Sequence, residues 1–328
     1  MKFTDEIKNL KCPKNLPISG ILPETRRIIV VGDVHGDIDQ FKKTLKLAKL
    51  IDNEDNWIGK DTVLVQLGDL IDSCRGEDCF IASEDDKGAD FDLLKYLIDL
   101  NEKAMKNDGA VYSIVGNHEI MNVQGNFNYV SPKNFDRFLD LISDKKSITP
   151  YEARKEAFKP GNPIANFLAC SKVGVLIIGS NLFVHGGMIK QMAKDYTPEK
   201  VNEVLKEWLE GKLENEEEHK KLLFSSNYSP FWTRIMGKMQ HGLSMDNKEC
   251  QTNVKPILEH WNVNHIHVGH SPTFIQKLGI NSTCDESLWR SDIGMSHAFS
   301  AFDSNGRSEI RKVQVLEILN DNEFNIIK

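Results

Sequence analysis

The sequence has no long apolar run. Its start, M-K-F-T-D-E-I-K, lacks the apolar core of about 7 to 15 residues found in signal peptides. No later segment is apolar enough to cross a bilayer, and no lipidation ending is present. These absences predict an intracellular, soluble protein, by default cytoplasmic, that has no membrane partner.

An extended basic block is also missing. Lysine and arginine number 41 against 48 aspartates and glutamates, which gives a formal net charge of -7. Proteins that bind duplex nucleic acid as their main task have a basic surface, so we expect no nucleic-acid partner. A phosphorylated substrate stays open, because bound metal ions can supply local positive charge.

Internal repeats, low-complexity tracts and linkers rich in glycine, serine or proline are absent. The 328 residues, 40% of them hydrophobic, suffice for a substantial core. Residues 1–25 contain Pro13, Pro17 and Pro23 and show little periodicity, which is typical of an irregular arm. We therefore predict an N-terminal arm over residues 1–25 and a single domain over residues 26–328.

Cysteine is sparse for a chain of this length. The six cysteines are Cys12, Cys74, Cys79, Cys170, Cys250 and Cys284. They are too few for a disulfide framework, so most are expected to be reduced thiols. Cys74 and Cys79 stand close together in C-R-G-E-D-C on a predicted loop, where a disulfide, a further metal site and plain loop cysteines all remain open.

What the sequence does contain is a series of strands that end in polar residues. The apolar residues 28–31 are followed by Gly32 and then by Asp33, His35 and Asp37. A short run of Ile and Val bounded by glycine predicts a buried strand, and open α/β sheets place their sites at the carboxyl ends of strands. Asp37 is expected to cap the following helix or to orient the loop rather than to bind a metal ion. An ordinary polar turn would look the same, so this motif alone leaves a metal site open.

The same arrangement follows two further apolar runs. Residues 62–67 are followed by G-D-L-I-D, which gives Asp69 the position after its strand that Asp33 has after the first. Residues 110–115 are followed by G-N-H-E at 116–119. Helical periodicity at 38–50 and 91–105 separates the runs, which predicts parallel strands. Carboxylates side by side at one sheet edge repel unless cations lie between them, and the repetition therefore favours a metal site.

Two histidines later in the chain occupy the same kind of position. His185 in H-G-G follows residues 181–184, and His270 in G-H follows residues 265–268. Residues 173–178 and 181–184 are predicted to pair through a tight G-S-N turn. Residues 198–213 and 252–261 are predicted helices. The chain from Phe274 alternates short apolar strands with turns, which favours the second sheet of a sandwich.

In order, the motifs G-D-V-H-G-D, G-D-L-I-D, G-N-H-E, H-G-G and G-H resemble those of calcineurin-like metallophosphoesterases, in the phosphoprotein phosphatase branch. The stretches G-N-H-E-I-M-N-V-Q-G, N-P-I-A-N-F-L-A, F-V-H-G-G, P-F-W-T-R and L-W-R-S-D-I-G-M-S further resemble the Shewanella-like protein phosphatases. The resemblance covers most of the chain. It implies an α/β (α+β) sandwich, with two mixed β-sheets packed face to face, flanking helices and a binuclear metal site at the strand ends.

The resemblance also implies a set of metal ligands. Six residues match the ligand positions of the family: Asp33, His35, Asp69, Asn117, His185 and His270. The first two would hold one ion, Asp69 would bridge both, and the last three would complete the second site. Such mixed donors suit Mn, Fe or Zn better than Ca, so we expect two divalent transition-metal ions, with Mn favoured. A hydroxide bridging the ions would attack the phosphoryl group in line.

His118 would then be the general acid that protonates the leaving oxygen, oriented by Asp72. The alternative for His118 is simple packing beside the ligands. Asn117 and Arg234, the arginine of W-T-R, would contact the substrate phosphate, although a surface arginine beside aromatic residues would look the same. The family normally reads G-D-x-x-D-R-G, whereas here two residues displace Arg75. Either Arg75 curls back onto the phosphate or the remaining groups bind it alone.

Two histidines in the strand before His270 leave a further alternative. His265 and His267 alternate along residues 265–268, so one of them either faces the site or packs within the sheet.

The resemblance implies a metal-dependent phosphoric ester hydrolase. We expect a protein phosphatase acting on Ser/Thr or Tyr phosphate. A dinucleoside polyphosphate or other small-molecule phosphoesterase is the alternative. A catalytically silent binding protein of the same fold is disfavoured, because all six ligand positions and His118 are present.

Overall fold

Strands and helices alternate from Arg27 to Val123, and runs of consecutive helices follow. The structure, a computed structural model, describes residues 1–17, 19–75, 86–214, 217–303 and 307–328. Within these ranges the strands are β1 (Ile21–Leu22), β2 (Arg27–Val31), β3 (Val63–Gln66), β4 (Ala110–Ser113), β5 (Val175–Ile178), β6 (Asn181–Val184), β7 (His265–Val268), β8 (Asn281–Thr283), β9 (Leu288–Arg290), β10 (Val315–Leu319) and β11 (Glu323–Ile327).

The helices flank these strands. They are α1 (Asp5–Lys8), α2 (Ile38–Leu47), α3 (Asp90–Met105), α4 (Asn117–Val123), α5 (Pro132–Asp140), α6 (Pro150–Phe158), α7 (Pro163–Ser171), α8 (Lys190–Asp195), α9 (Pro198–Leu209), α10 (Glu217–Phe224), α11 (Lys248–Asn253), α12 (Lys255–Trp261) and α13 (Arg307–Ile310). Two short 3₁₀ helices cover Thr273–Gln276 and His297–Phe302. Among the described residues, no helix is both long enough and apolar enough to cross a membrane.

One sheet has five strands in the order β11-β10-β2-β3-β4. Its strands β2, β3 and β4 are parallel, with α2 and α3 as the crossover helices, and β10 runs antiparallel to β2. In this register Val31 pairs with Gln66, and Gln66 pairs with Ser113. The three parallel strands therefore end at the same edge, and their near-continuous Ile and Val runs reflect burial on both faces.

The other sheet has six strands in the order β1-β5-β6-β7-β9-β8. The parallel strands β6, β7 and β9 end level with one another, since Val184 pairs with Val268 and Val268 with Arg290. Strands β5 and β6 form the predicted hairpin, in which Ile178 pairs with Asn181. This sheet therefore also brings several strand ends to one edge.

Apolar side chains of both sheets belong to one buried cluster. Ile29 and Leu64 come from the first sheet, and Leu176, Phe183 and Val268 come from the second. The predicted α/β architecture of two mixed sheets with flanking helices is confirmed. The division into an arm and one domain stays a prediction; α1 and β1 lie within residues 1–25, and β1 pairs with β5.

The prediction for the chain after Phe274 is wrong in part. Strands β8 and β9 join the second sheet, but β10 and β11 join the first, where Leu316 pairs with Val30. The predicted helix at 252–261 divides into α11 and α12 at Val254. Apolar alternation identifies a strand, but its neighbour depends on burial across the whole sheet.

The prediction that most cysteines are reduced thiols is also wrong. Cys12 is bonded to Cys170 and Cys250 to Cys284, with Cα–Cα distances of 5.5 and 5.6 Å. The partners are 158 and 34 residues apart in the chain, so the fold alone brings them together. Cys79, and with it the open question of a Cys74–Cys79 pair, lies outside the described residues.

Candidate active site

The polar residues predicted at the strand ends converge at one edge of the structure. Asp33 and His35 follow β2, Asp69 follows β3, Asn117 begins α4 just after β4, His185 follows β6 and His270 follows β7. All six are at least 96% buried, with side chains drawn from both sheets. Their convergence results from the level ends of the parallel strands in each sheet.

The first donor group surrounds His35. Its Nε2 lies 3.7 Å from Asp33 Oδ2 and 3.9 Å from Asp69 Oδ2. The opposite ring nitrogen, Nδ1, is 3.3 Å from the carbonyl of Ile71, which directs Nε2 toward the two carboxylates. His118 Nε2 also lies within this group, 3.8 Å from Asp69 Oδ2.

The second donor group shares Asp69 with the first. Its Oδ2 lies 3.3 Å from His185 Nε2, and that nitrogen is 3.0 Å from Asn117 Oδ1. His185 Nδ1 donates to the carbonyl of Leu67 at 2.7 Å, which orients the ring. The rings of His185 and His270 are 4.9 Å apart, and His270 belongs to the same cluster of donor atoms. Asp69 therefore stands where a bridging ligand would be needed.

The ligand loops have an unusual backbone. His35, Asp69 and His270 have φ values of 46°, 48° and 64°, a left-handed conformation that non-glycine residues rarely adopt. Hydrogen bonds between the loops hold these conformations: His35 N donates to Asp69 O at 3.0 Å, and His270 N donates to the Asp33 carboxylate at 3.1 Å. Backbone strain of this kind concentrates at functional sites.

The two aspartates of the site have opposite pKa shifts. Burial raises the pKa of Asp33 well above its ordinary value, and the carboxylates of Asp292 and Asp69 add to that shift. Burial acts in the same direction on Asp69, but His185 and His118 outweigh it and hold the pKa of Asp69 well below its ordinary value. Asp69 is thus the carboxylate that is kept ionised between the two donor groups.

Two of the histidines are kept neutral. Burial, followed by the charges of Arg75 and His118, holds the pKa of His35 well below its ordinary value. Burial, followed by His185 and Arg234, does the same to the pKa of His270. Neutral imidazoles together with an ionised carboxylate are the protonation states that bind a metal ion.

Arg75 lies against the first donor group. Its Nη2 is 2.8 Å from His35 Nε2 and 3.2 Å from His118 Nε2, and its guanidinium packs over the rings of Tyr129 and Phe299. The guanidinium therefore faces the Nε2 atoms of a predicted ligand, His35, and of the predicted acid, His118. The Asp, His and Asn side chains of the two groups are donors that divalent metal ions accept, so the residues present fit a binuclear metal site.

His118 makes a second contact on the side facing away from the donor groups. Its Nδ1 lies 2.8 Å from Asp72 Oδ2, and the Asp72 side chain is fully buried. A carboxylate at this distance fixes the ring and places the proton on Nδ1, which leaves Nε2 facing the site. The structure thus brings together the predicted acid and its orienting carboxylate, while their catalytic role stays a prediction.

A cavity of about 720 Å³ opens beside the donor groups. Its lining includes Asn117, His118 and His270 together with Tyr129 and Trp232. The cavity therefore gives a substrate access to both the second donor group and the predicted acid.

The predicted phosphate-binding residues also reach this region. Asn117 and the exposed Arg234 line the cavity, and the Arg234 Nη1 donates to the carbonyl of His270. Arg75 lies on the other side of His118, so both arginines are brought to the site. Their contact with a phosphate stays a prediction.

The structure decides the remaining histidine alternatives. The His267 ring stacks on Phe183, and its Nε2 is 2.8 Å from Asn181 Oδ1, so it packs within the second sheet. His265 is half-buried and contacts Phe324. Asp37 accepts a hydrogen bond from Gln40 N and caps α2, as predicted.

Two acidic residues at the site had no predicted role. Asp292 follows β9, just as Asp33 follows β2, and its charge raises the pKa of Asp33. Glu119 accepts hydrogen bonds from the backbone N–H groups of Asp69, Leu70 and Gly116, which ties the β3 loop to the β4 loop. The position of Asp292 directly after a strand could have identified it from the sequence. Glu119 binds backbone N–H groups, and no sequence pattern predicts such contacts.

Similarity to known proteins agrees with this geometry. The chain is 39% identical over 247 residues to an uncharacterized protein of Acanthamoeba polyphaga mimivirus, covering 70% of this chain and 96% of that protein. It is 28% identical over 308 residues to Shewanella-like protein phosphatase 2 of Arabidopsis thaliana, covering 82% and 71%. The Plasmodium berghei Shewanella-like protein phosphatase 1 is 28% identical over 279 residues, covering 82% and 67%.

The fold is similar to that of a solved phosphatase. A cold-active protein-tyrosine phosphatase of a psychrophilic Shewanella species superposes with a TM-score of 0.67 and 23% identity, covering 100% of this chain and 86% of that one. The family profile described as calcineurin-like phosphoesterase matches residues 26–274, most of the chain. With two donor groups that share Asp69, the chain therefore belongs to the calcineurin-like phosphoesterase family of metal-dependent phosphoric ester hydrolases.

Proposed function

We propose that the protein is a metal-dependent protein phosphatase with His118 as its general acid. The observation that carries the proposal is the position of His118 between the shared ligand Asp69 and the buried Asp72. Its Nε2 faces Asp69 at 3.8 Å, and its Nδ1 is held by Asp72 at 2.8 Å. A histidine that served only to pack would not need both contacts.

The chemistry divides between the metal ions and the side chains. Two bound ions would activate a water molecule and neutralise charge on the phosphoryl group. Asp33, His35 and Asp69 would hold one ion, and Asp69, Asn117, His185 and His270 the other.

The protein side chains would act on the leaving group and the phosphate. In its doubly protonated form, His118 would give the Nε2 proton to the leaving oxygen, while its Nδ1–H stays hydrogen-bonded to Asp72 and keeps the ring oriented. Arg75 and Arg234 would contact the phosphate oxygens from two sides, since a guanidinium matches phosphate geometry. Asn117 lines the same cavity and would contribute its amide N–H to the phosphate.

A protein substrate is favoured over a small molecule by the relatives. The Arabidopsis and Plasmodium relatives bear the name protein phosphatase, and the structural neighbour is described as a protein-tyrosine phosphatase. The cavity beside His118, which contains the apolar side chains of Met121, Ile189 and Ile235, has room for the side chain of a phosphorylated residue.

The test is a substrate panel on protein reconstituted with Mn²⁺. Phosphotyrosine peptides, phosphoserine and phosphothreonine peptides and a dinucleoside tetraphosphate are compared by kcat/KM. The proposal predicts that a phosphopeptide is the best substrate. An Asp69→Asn variant purified in parallel should be inactive on every substrate, which excludes a contaminating phosphatase.

Two outcomes contradict the proposal. Preferential hydrolysis of the dinucleoside tetraphosphate would assign a small-molecule phosphoesterase. Full metal occupancy without turnover of any substrate would assign a catalytically silent protein of the same fold.

A further inference from the structure

The carboxylate of Asp72 has two oxygens, and only Oδ2 contacts His118. The other, Oδ1, accepts a hydrogen bond from Asn122 Nδ2 at 2.8 Å and lies 3.4 Å from Arg154 Nη2. Asn122 Nδ2 also donates to the backbone carbonyl of His118 at 2.9 Å. The orientation of the predicted acid therefore depends on what fixes Asn122 and Oδ1.

Arg154 fixes both groups. Its Nε donates to Asn122 Oδ1 at 2.8 Å, which determines which way the amide faces and directs Nδ2 toward Asp72. Its Nη2 donates to Asp90 Oδ2 at 2.7 Å, and the other oxygen of Asp90 accepts from the backbone N–H of Asp72 at 3.1 Å. The guanidinium thus holds the side chain and the backbone of Asp72 at once.

The surroundings of Arg154 hold the guanidinium in place. Its side chain has 0% exposure, and its Cζ lies 4.7 Å from the ring centroid of Phe138 and 4.9 Å from that of Phe158. Its Nη1 has no hydrogen-bond partner within the described residues. Burying a guanidinium with one unsatisfied N–H donor lowers the stability of the fold. Retention of Arg154 at this position is therefore better explained by a role in the site than by stability.

We propose that Arg154 is a positioning residue for the reaction, because its planar fork locks Asp72 and Asn122 so that His118 presents Nε2 to the leaving oxygen. The proposal rests on the proposed function of His118 as general acid. Lysine carries the same charge but cannot donate through a fixed fork to two partners. Arg154→Lys should therefore loosen the His118–Asp72 pair and leave the metal ligands untouched.

The experiment compares a good and a poor leaving group. Proton donation matters little for 4-nitrophenyl phosphate, whose leaving phenolate is stable, and matters more for phenyl phosphate. We expect Arg154→Lys to lower kcat about tenfold on phenyl phosphate and less than about twofold on 4-nitrophenyl phosphate. KM and the metal content should not change.

The matched control is Arg137→Lys. Arg137 also packs on a ring, that of Phe91, and pairs with Glu6 and Asp92, but it does so near the surface. This control should change neither substrate's kcat. Equal losses of Arg154→Lys on both substrates, or no loss on either, would overturn the proposal. If Arg154→Lys does not fold by circular dichroism, Asn122→Ala replaces it and should show the same selective loss.

A second readout does not depend on turnover. The proton on His118 Nδ1, hydrogen-bonded to Asp72, should give a downfield resonance in the Zn²⁺-loaded protein, assigned by its absence in His118→Asn. We expect Arg154→Lys to shift or broaden this resonance and Arg137→Lys to leave it unchanged. Because the resonance is read without turnover, it decides whether Arg154 positions His118 even if the parent protein hydrolyses neither aryl phosphate, and the proposed function is then judged on the phosphopeptide panel. An unchanged resonance would overturn the proposal.

Discussion

His118 makes contacts in two directions. One ring nitrogen faces the shared ligand Asp69, and the other faces Asp72. Mutation can therefore distinguish the proposed general acid from the metal ligands by its effect on metal content. Removing a ligand should change metal content, whereas removing the acid should not.

We predict that His118→Asn lowers kcat by about 10² or more, since general acid catalysis by a positioned side chain contributes about 10²- to 10⁴-fold. Metal content, measured by mass spectrometry of the purified protein, should equal that of the parent. His241→Asn, at an exposed position, is the control and should change neither quantity. Parental activity in His118→Asn would refute the assignment of the acid.

Asp292 adds negative charge beside Asp33. Burial, with a contribution from Asp69, raises the pKa of Asp292 from 3.8 to about 6, and its Oδ2 finds no donor within the described residues. A carboxyl group whose pKa is higher in the folded than in the unfolded protein stabilises the fold most when the pH is below its pKa in the unfolded protein. Its contribution to stability is lost as the pH rises through about 6.

We predict that Asp292→Asn stabilises the metal-free protein above pH 6, by at most about 3 kcal/mol, which is the free energy of a pKa shift of about 2 units. The gain should be smaller at pH 4.5 than at pH 7.5, as measured by urea denaturation in the presence of a chelator. The exposed Asp246→Asn should show no such trend. A stability difference that does not grow with pH would contradict the prediction.

The loops after β3 and β4 lie directly against each other. A Cβ at Gly116 would contact Asp69 Oδ1 and the Asp69 backbone nitrogen far inside van der Waals distance. The φ of Gly116 is -99°, which any residue adopts, so close approach rather than backbone conformation requires glycine here. Gly116 thus lets Asp69 take its place between the donor groups.

We predict that Gly116→Ala lowers the free energy of unfolding by about 1 to 3 kcal/mol and reduces bound Mn²⁺ to less than about half. Metal analysis after dialysis and urea denaturation measure the two effects. Gly242→Ala is the control, because its Cβ would meet nothing within 4 Å and only its positive φ opposes the change. Full metal occupancy in Gly116→Ala would contradict the prediction, because it would show that Asp69 keeps its position when a Cβ pushes the loops after β3 and β4 apart.

Helix α6 carries Arg154 and begins with a capping box. The Thr149 side chain accepts a hydrogen bond from Glu152 N, and the Glu152 carboxylate accepts one from Thr149 N. Thr149→Ala should lower the free energy of unfolding by about 1 kcal/mol, as measured by urea denaturation. Thr4 precedes α1 without a side-chain cap bond, so Thr4→Ala should change stability less. Equal effects of the two substitutions would contradict the capping role.

At the scale of the whole molecule, the site places several buried carboxylates within one core. Burial and the neighbouring carboxylates raise the pKa values of Asp33 and Asp292 there, and bound cations would offset that repulsion. Metal binding should therefore be coupled to the stability of both sheets, because each sheet contributes ligands.

We predict that Mn²⁺ raises the melting temperature and that a chelator reverses the effect. At a free metal concentration of 100 times Kd, a single site would contribute about 2.7 kcal/mol. Differential scanning calorimetry at increasing Mn²⁺ measures the shift. Asp69→Asn should respond much less, since it removes the ligand common to both donor groups. A parent protein indifferent to Mn²⁺ would contradict metal binding at this site.

Four of the predicted metal ligands share one property, their place directly after an apolar strand. Asp33, Asp69, His185 and His270 could be predicted because burial of the strand imposes a local pattern that sequence displays. The resemblance to a family then supplied roles that the pattern alone left open. Arg154 could not be found this way, because it lies on a helix 82 residues from Asp72 and meets it only in the fold.

By itself, the sequence determined the parallel strands, the polar residues that follow them and hence the chemical character of the site. Hydrophobic periodicity and strand-end chemistry are local, so a short stretch of chain carries them. The tertiary structure alone decided which sheet β10 and β11 join, which cysteines pair and which side chains hold His118 in place. Those choices depend on burial and contact between segments far apart in the chain, and no local pattern records them.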